Sequence, residues 1–245
     1  MMKNKINYGV DAPNIIKGLV FGSFFITFLY GLLIFFWGTN PFIFQISIFS
    51  IIIISISMFT TAGLMLYSSW YGKLVQADIM LDKIQWSGSE NVLDIGCGRG
   101  LLAIKVAQKL KDGHVIGIDI WSSKDLSGNT QKAAEDNIKL ANLSNKASIQ
   151  YGDACGLEFD DESFDVIVSN LTIHNIDSME DRFVALDEMI RVVKPGGYIL
   201  IQDMFCTQEY FDYFSCLEEV SSMTLSGYQW KMFPFSRILV VQKQR

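Results

Sequence analysis

The sequence predicts a doubly wound α/β domain built on a largely parallel sheet and preceded by two transmembrane α-helices. Three observations carry that expectation. From Gly18 to Gly72 the chain has no charged residue. From Asn91 to Asp203, short apolar runs alternate with segments of helical periodicity, the pattern of strand–helix–strand units. The first of these runs, Val92-Leu93-Asp94-Ile95-Gly96-Cys97-Gly98-Arg99-Gly100, is a buried-type strand that holds an acid and ends in three alternating glycines.

Within the uncharged stretch, Ile15 to Trp37 and Phe42 to Leu66 are each long enough to cross a hydrocarbon core, which needs about 20 apolar residues. Only Gly38-Thr39-Asn40-Pro41 separates them, a tight turn. A buried helical pair in a soluble protein would keep a polar face. A cleavable signal peptide would be shorter, with no second apolar run at once behind it. Lys3, Lys5 and Lys17 precede or open the first span, Lys73 follows the second, and the turn carries no charge. The positive-inside rule then puts both ends in the cytoplasm. The expected division is residues 1–66 as membrane anchor, 67–90 as a linking segment and 91–245 as the α/β domain. In the link, Tyr71 to Ile84 reads as a helix, with Leu74, Ala77, Ile79, Leu81 and Ile84 on one apolar side. No Gly/Ser linker intervenes, so the domain is expected close to the bilayer, with Trp70, Tyr71 and Trp86 suited to the interface.

The glycine turn leads into a helix over Leu101 to Leu110. A dinucleotide fingerprint would place its third glycine at Leu101, and Asp94 would repel a pyrophosphate while suiting a cationic ligand. A tight strand–helix turn with no ligand would use the same glycines, so this motif alone leaves both readings open. His114 to Asp119 is a second strand ending in an acid about 20 residues further on, where a carboxylate can take two ribose hydroxyls. Ala147 to Tyr151 is a third strand, followed by Gly152-Asp153-Ala154, and Phe164 to Ser169 a fourth, followed by Asn170-Leu171. Val193-Lys194-Pro195-Gly196-Gly197 then turns into a fifth strand, Tyr198 to Gln202.

In order and spacing these motifs resemble the class I S-adenosylmethionine-dependent methyltransferases, over roughly Gln76 to Arg245, with quinone and small-molecule methyltransferases as the nearest kin. The resemblance implies a Rossmann-like seven-stranded sheet and S-adenosyl-L-methionine as cofactor. It places Asp94, Gly96, Cys97, Gly98 and Gly100 around the donor, Asp119 on the ribose and Ile120 against the adenine face. It also assigns Asp153 to the adenine amino group, the Ala154 amide to a ring nitrogen and Asn170 to the methionine end. His174 follows the fourth strand above the methyl donor. It is the candidate catalytic base because histidine exchanges protons near neutrality, with a packing role as the alternative.

Charge narrows the acceptor. Taking Lys3, Lys5, Lys17 and Asp11 from totals of 20 basic and 26 acidic residues leaves 17 and 25, a net of −8 for the rest of the chain. That is no footprint for a nucleic-acid backbone. Cys97, Cys155, Cys206 and Cys216 form no C-x-x-C pair and no metal-ligand spacing, so no metal is expected. The latter three are read as small buried hydrophobes, with a thiol cluster as the sharper alternative. A polar insert, Trp121 to Asn129, lies beside the expected adenosine as either a wall or a solvated loop, and Thr130 to Ala141 forms the next helix. The expected function is methyl transfer to a small, hydrophobic or lipid-like acceptor at the cytoplasmic face of a membrane. A thiol or metalloid methyltransferase and a membrane protein that binds the donor without turnover are the alternatives. The oligomeric state is not legible.

Overall fold

The computed structural model describes residues 5–37, 41–122 and 126–245. The Gly38–Asn40 turn, Lys3 of the charge pattern and Ser123–Asp125 of the insert lie outside the described residues. Two long helices, α1 (Pro13–Trp37) and α2 (Pro41–Tyr67), match the two apolar runs. They pair antiparallel: Phe24 meets Phe59 edge-on at 5.5 Å, Thr27 Oγ1 lies 3.2 Å from Ser55 Oγ, and Tyr30 bonds Ser47. Their outer faces leave Phe21, Phe28, Phe35, Phe49 and Ile56 exposed.

The helical ladder does not stop at the predicted anchor boundary. A single π turn, Ser68–Gly72, carries α2 directly into α3 (Lys73–Leu81). The helix therefore ends three residues before the predicted Ile84. Trp86 explains the stop: its indole N–H donates to the Leu81 carbonyl at 2.7 Å, satisfying an acceptor that continued helix would have used.

Seven strands follow: β1 (Asn91–Ile95), β2 (His114–Asp119), β3 (Ala147–Tyr151), β4 (Phe164–Asn170), β5 (Val193–Asp203), β6 (Val220–Leu225) and β7 (Arg237–Lys243). Their order is β3-β2-β1-β4-β5-β7-β6, parallel except for β7, which runs antiparallel to both neighbours. Helices α4 (Leu101–Lys109), α5 (Gln131–Leu140), α6 (Met179–Val192) and α7 (Thr207–Ser215) complete the α/β domain. Strand parity builds two cores. Val92, Val115, Val166 and Leu200 face α3, α4 and α5, while Leu93, Ile118, Ile167 and Ile199 face α6 and α7.

From sequence, Tyr228 to Phe235 and Ser236 to Val241 read as an antiparallel strand pair closing the sheet; such a pair does close it, but its first strand is not Tyr228 to Phe235. Val220–Leu225 takes that place, and the residues between Leu225 and Arg237 form a loop with one isolated bridge, Gln229 to Ser236. Pro234 cannot donate to a ladder, and the aromatic side chains there pack on one another instead of alternating across a sheet.

Candidate functional site

Because β1 to β4 are parallel, their carboxyl ends share one edge. The register pairs Ile95 with Ile118 and Ser169, and Asp119 with Tyr151. The residues just beyond, Gly96, Asp119, Gly152-Asp153 and Asn170, therefore line up in one row, the usual position of a ligand in a doubly wound sheet.

The glycine loop is held by backbone bonds. Gly96 and Cys97 amides donate to Ile118 O at 2.8 and 2.9 Å, and the Gly98 amide donates to Asp119 Oδ2 at 2.9 Å. Gly96 has φ +71°, and a Cβ there would lie 2.1 Å from the Thr172 methyl carbon. Asp94 is buried beneath the loop, where its Oδ2 accepts the Ala103 amide at 2.9 Å. Ala103 belongs to the first turn of α4, so Asp94 satisfies an amide that the helix itself cannot. Asp119 is also buried: Oδ1 accepts the Trp121 amide at 2.6 Å and Asn129 Nδ2 at 3.3 Å. A carboxylate offers about four acceptor sites, so these three bonds leave about one, on Oδ2.

Other predicted residues fall beside these. Ile120 is exposed, Asp153 Oδ1 accepts the Cys155 amide at 2.9 Å, and Ala154 is buried behind it. Asn170 Oδ1 is buried with no partner among the described residues. His174 stands on a short 3-10 turn after β4; its amide donates to Asp203 Oδ2 at 3.0 Å and its Nδ1 faces Asp203 Oδ1. Asp203 ends β5, fully buried, and Tyr210 of α7 donates to it at 3.4 Å. Burial, then the Asp203 charge, pushes the Tyr210 phenol up, so it remains a protonated donor.

The sequence offered no signal for Asp203 as a partner of His174, since 29 residues separate them. It also missed the segment before α1. Asn7 and Asn137 exchange bonds, Val10 pairs with Ser127, and Lys73 Nζ donates to the carbonyls of Tyr8 and Gly9 and to Asp11. The described part of the insert is thereby a packed wall beside Asp119, with Asn129 buried.

Residues 87–231 match the model of a methyltransferase domain family. The chain belongs to this family. It is an S-adenosylmethionine-dependent methyltransferase of the class I fold. Demethylmenaquinone methyltransferase of Listeria welshimeri is 36% identical over 114 residues, 46% of this chain and 44% of that protein. The chloroplastic 2-phytyl-1,4-beta-naphthoquinone methyltransferase of Arabidopsis thaliana is 35% identical over 124 residues, 49% of this chain and 45% of that one. The match thus spans less than half the length of either relative. Among solved structures, the [4+2]-cyclase SpnF superposes with a TM-score of 0.58 at 16% identity, over 72% of this chain and 84% of that one, a likeness of fold alone.

The row of residues in this methyltransferase fits its donor. An unpartnered buried amide oxygen at Asn170 and two buried carboxylates suit a ligand with hydroxyls, an ammonium and a sulfonium. Cys97 is no nucleophile, because burial and then the Asp94 and Asp119 charges push its thiol well up. Burial, with Asp153 and Asp181, pushes Cys155 up to about 11, which weakens a thiol relay there. Among the described residues no group of three or more His, Cys, Asp or Glu could hold a metal.

Asp94 gives a test by pH. Burial pushes its carboxyl up to about 8, against the pull of the Ala103 bond and with the push of Asp119. A cationic donor favours the ionised form, so binding below that value releases a proton. Donor affinity is expected to rise with pH up to about 8, by at most about tenfold per unit, and then level off. The unfolded chain ionises Asp94 near pH 4, so between about 4 and about 8 the folded state binds more protons and stability falls with rising pH. Calorimetric titration and urea unfolding of Asp94→Asn across this window should each lose the slope that Asp94 contributes in the parent. Parallel affinity profiles would remove Asp94 from the donor site.

Proposed function

We propose that this methyltransferase modifies a small, lipid-like acceptor of the quinone kind at the cytoplasmic face of a membrane, with Asp119 on the donor's ribose, Asp153 and Ala154 at its adenine, Asn170 at its methionine end and His174 as base. The observation that carries the reading is the unbroken helix from α2 through the π turn into α3. It joins a pair of apolar, outwardly exposed helices rigidly to the donor-binding domain. Leaving a large apolar side chain in water forgoes about 1.5–3 kcal/mol of burial, and α1 and α2 present many such side chains; a bilayer removes that cost. Two curated relatives are named for naphthoquinone or menaquinone chemistry, which supports the choice of acceptor. The lysines at 5, 17 and 73 support cytoplasmic ends.

Bound S-adenosylmethionine supplies a methyl group already activated on a sulfonium. The protein's own tasks are alignment, exclusion of water and removal of one proton from the acceptor. Asp203 facing Nδ1 favours the histidine tautomer with its proton there, which leaves Nε2 to accept the acceptor's proton. Phe205, exposed with its ring 6.1 Å from His174, offers an apolar wall on the acceptor side.

Alkaline carbonate should leave the protein in the membrane pellet; release into the supernatant would remove the anchor from this reading. For the acceptor, the full-length enzyme in liposomes should methylate a quinol with a long isoprenoid tail faster than its tail-less, water-soluble counterpart. A preference for the soluble acceptor would reduce the anchor to a locator. Truncation at Tyr67 is a poorer test, because it also removes the residues at 7–11 that pack on the donor edge.

A further inference from the structure

The loop between β6 and β7 carries four aromatic residues, Tyr228, Trp230, Phe233 and Phe235, and only one charge, Lys231. Trp230 is 77% exposed and Tyr228 59%. Trp230 and Phe235 lie 4.6 Å apart between ring centroids, and Phe233 and Phe235 5.8 Å, so the rings form a ridge.

Two sets of contacts fix where this ridge sits. On one side the Phe233 amide donates to Ser68 Oγ at 3.1 Å, and Phe233 packs on the cluster of Ile16, Ala62 and Met65 at the base of the helical hairpin. Gly72 lets the loop approach the π turn, since a Cβ there would lie 2.2 Å from Lys231 O. On the other side Gln202 Nε2 donates to Ser236 Oγ at 3.2 Å and lies 3.0 Å from Met232 Sδ. Gln202 is the register partner of Asn170, and its carbonyl accepts the Leu171 amide at 2.8 Å. One loop thus braces the base of the hairpin and the strand edge beside the donor site.

We propose that this loop is a second membrane contact, with its aromatic ridge seated among the lipid headgroups of the bilayer that holds the hairpin. The inference rests on the membrane reading above and extends it to the acceptor side of the site. The π turn that the loop touches also exposes Trp70 and Tyr71, so with Tyr228 and Trp230 four exposed amphipathic rings come from two segments in contact with each other. Trp and Tyr concentrate at the membrane–water boundary, where an apolar ring and a polar tip are both satisfied. Lys231 can extend toward lipid phosphates while its stem stays apolar. An acceptor dissolved in the bilayer would then meet the wall of the site at the depth where it resides, without leaving the lipid.

The test uses the full-length protein in liposomes whose lipids carry bromine at a shallow or a deep acyl position. The difference in emission between the parent and Trp230→Phe reports Trp230, and that between the parent and Trp70→Phe reports Trp70. The expected result is loss of most Trp230 emission with shallow bromines, less loss with deep ones, and unchanged donor binding in Trp230→Phe. Quenching of Trp70 without Trp230 overturns the loop contact and leaves the hairpin standing. Quenching of neither overturns the hairpin reading and the loop contact with it. Trp230 shielded both from lipid bromine and from an aqueous quencher means that protein, a second copy or another partner, covers the ridge, which also overturns the proposal.

Discussion

Replacing Gly96 with valine is expected to weaken S-adenosylmethionine binding by at least about 30-fold while α1, α2 and the sheet remain folded. Two costs combine. A φ of +71° is strained for any side chain and worst for a β-branched one, about 1–3 kcal/mol. The new Cβ would also lie 2.1 Å from Thr172 Cγ2, 2.2 Å from its Oγ1 and 2.6 Å from its Cβ. Those atoms are not the loose end of a long side chain, so either the glycine loop or the turn leading to His174 must move. Overpacking of this kind costs about 1–3 kcal/mol more. With about 1.4 kcal/mol per factor of ten, the loss of affinity is expected between about 30-fold and about 10⁴-fold. Gly98→Val should cost less, because its Cβ at 2.9 Å meets only Leu126 Cδ2, the end of a side chain that can rotate. Calorimetric titration, with circular dichroism to check the fold, decides the matter. Unchanged affinity in a folded Gly96→Val protein would mean that the turn is structural and does not cradle the donor.

Much of this was legible because it is local. The strand over His114–Asp119 has the bounds read from the sequence, and so does Ala147–Tyr151, because apolar runs with an acidic or glycine end are self-contained signals. The glycine spacing excluded a dinucleotide without any structure. Long-range pairings were not legible. Asp203 reads as a strand-ending acid until β5 places it against His174. Asn7 and Val10 look like a tail before a membrane span until Asn137 and Ser127 take their backbone groups. The sixth strand, at Val220–Leu225, differs from the sequence pattern for a related reason. Tyr228 to Phe235 is apolar enough for a strand, yet its rings have partners in the hairpin base and in one another, a tertiary preference that no window of sequence contains. The sequence shows Asp94 only as a partner for a cationic ligand; its bond to the Ala103 amide adds a capping role that depends on how the helix returns over the strand.

Removing the imidazole should separate chemistry from binding. His174→Ala is expected to lower kcat by about 10²–10⁴, the usual contribution of a positioned general base, with donor affinity unchanged. Donor affinity should hold because the predicted donor contacts come from the ends of β1 to β4, whereas the His174 ring faces Asp203 of β5. Asp203→Asn is the informative companion. Asp203→Ala would strand the His174 amide and the Tyr210 hydroxyl in a buried site, so its effect would mix folding with catalysis. Asparagine keeps an acceptor but loses the charge that stabilises a protonated imidazole, so kcat should fall while KM for the acceptor changes little. Parent-like kcat in both variants would leave His174 with a packing role and require the acceptor to lose its proton to water.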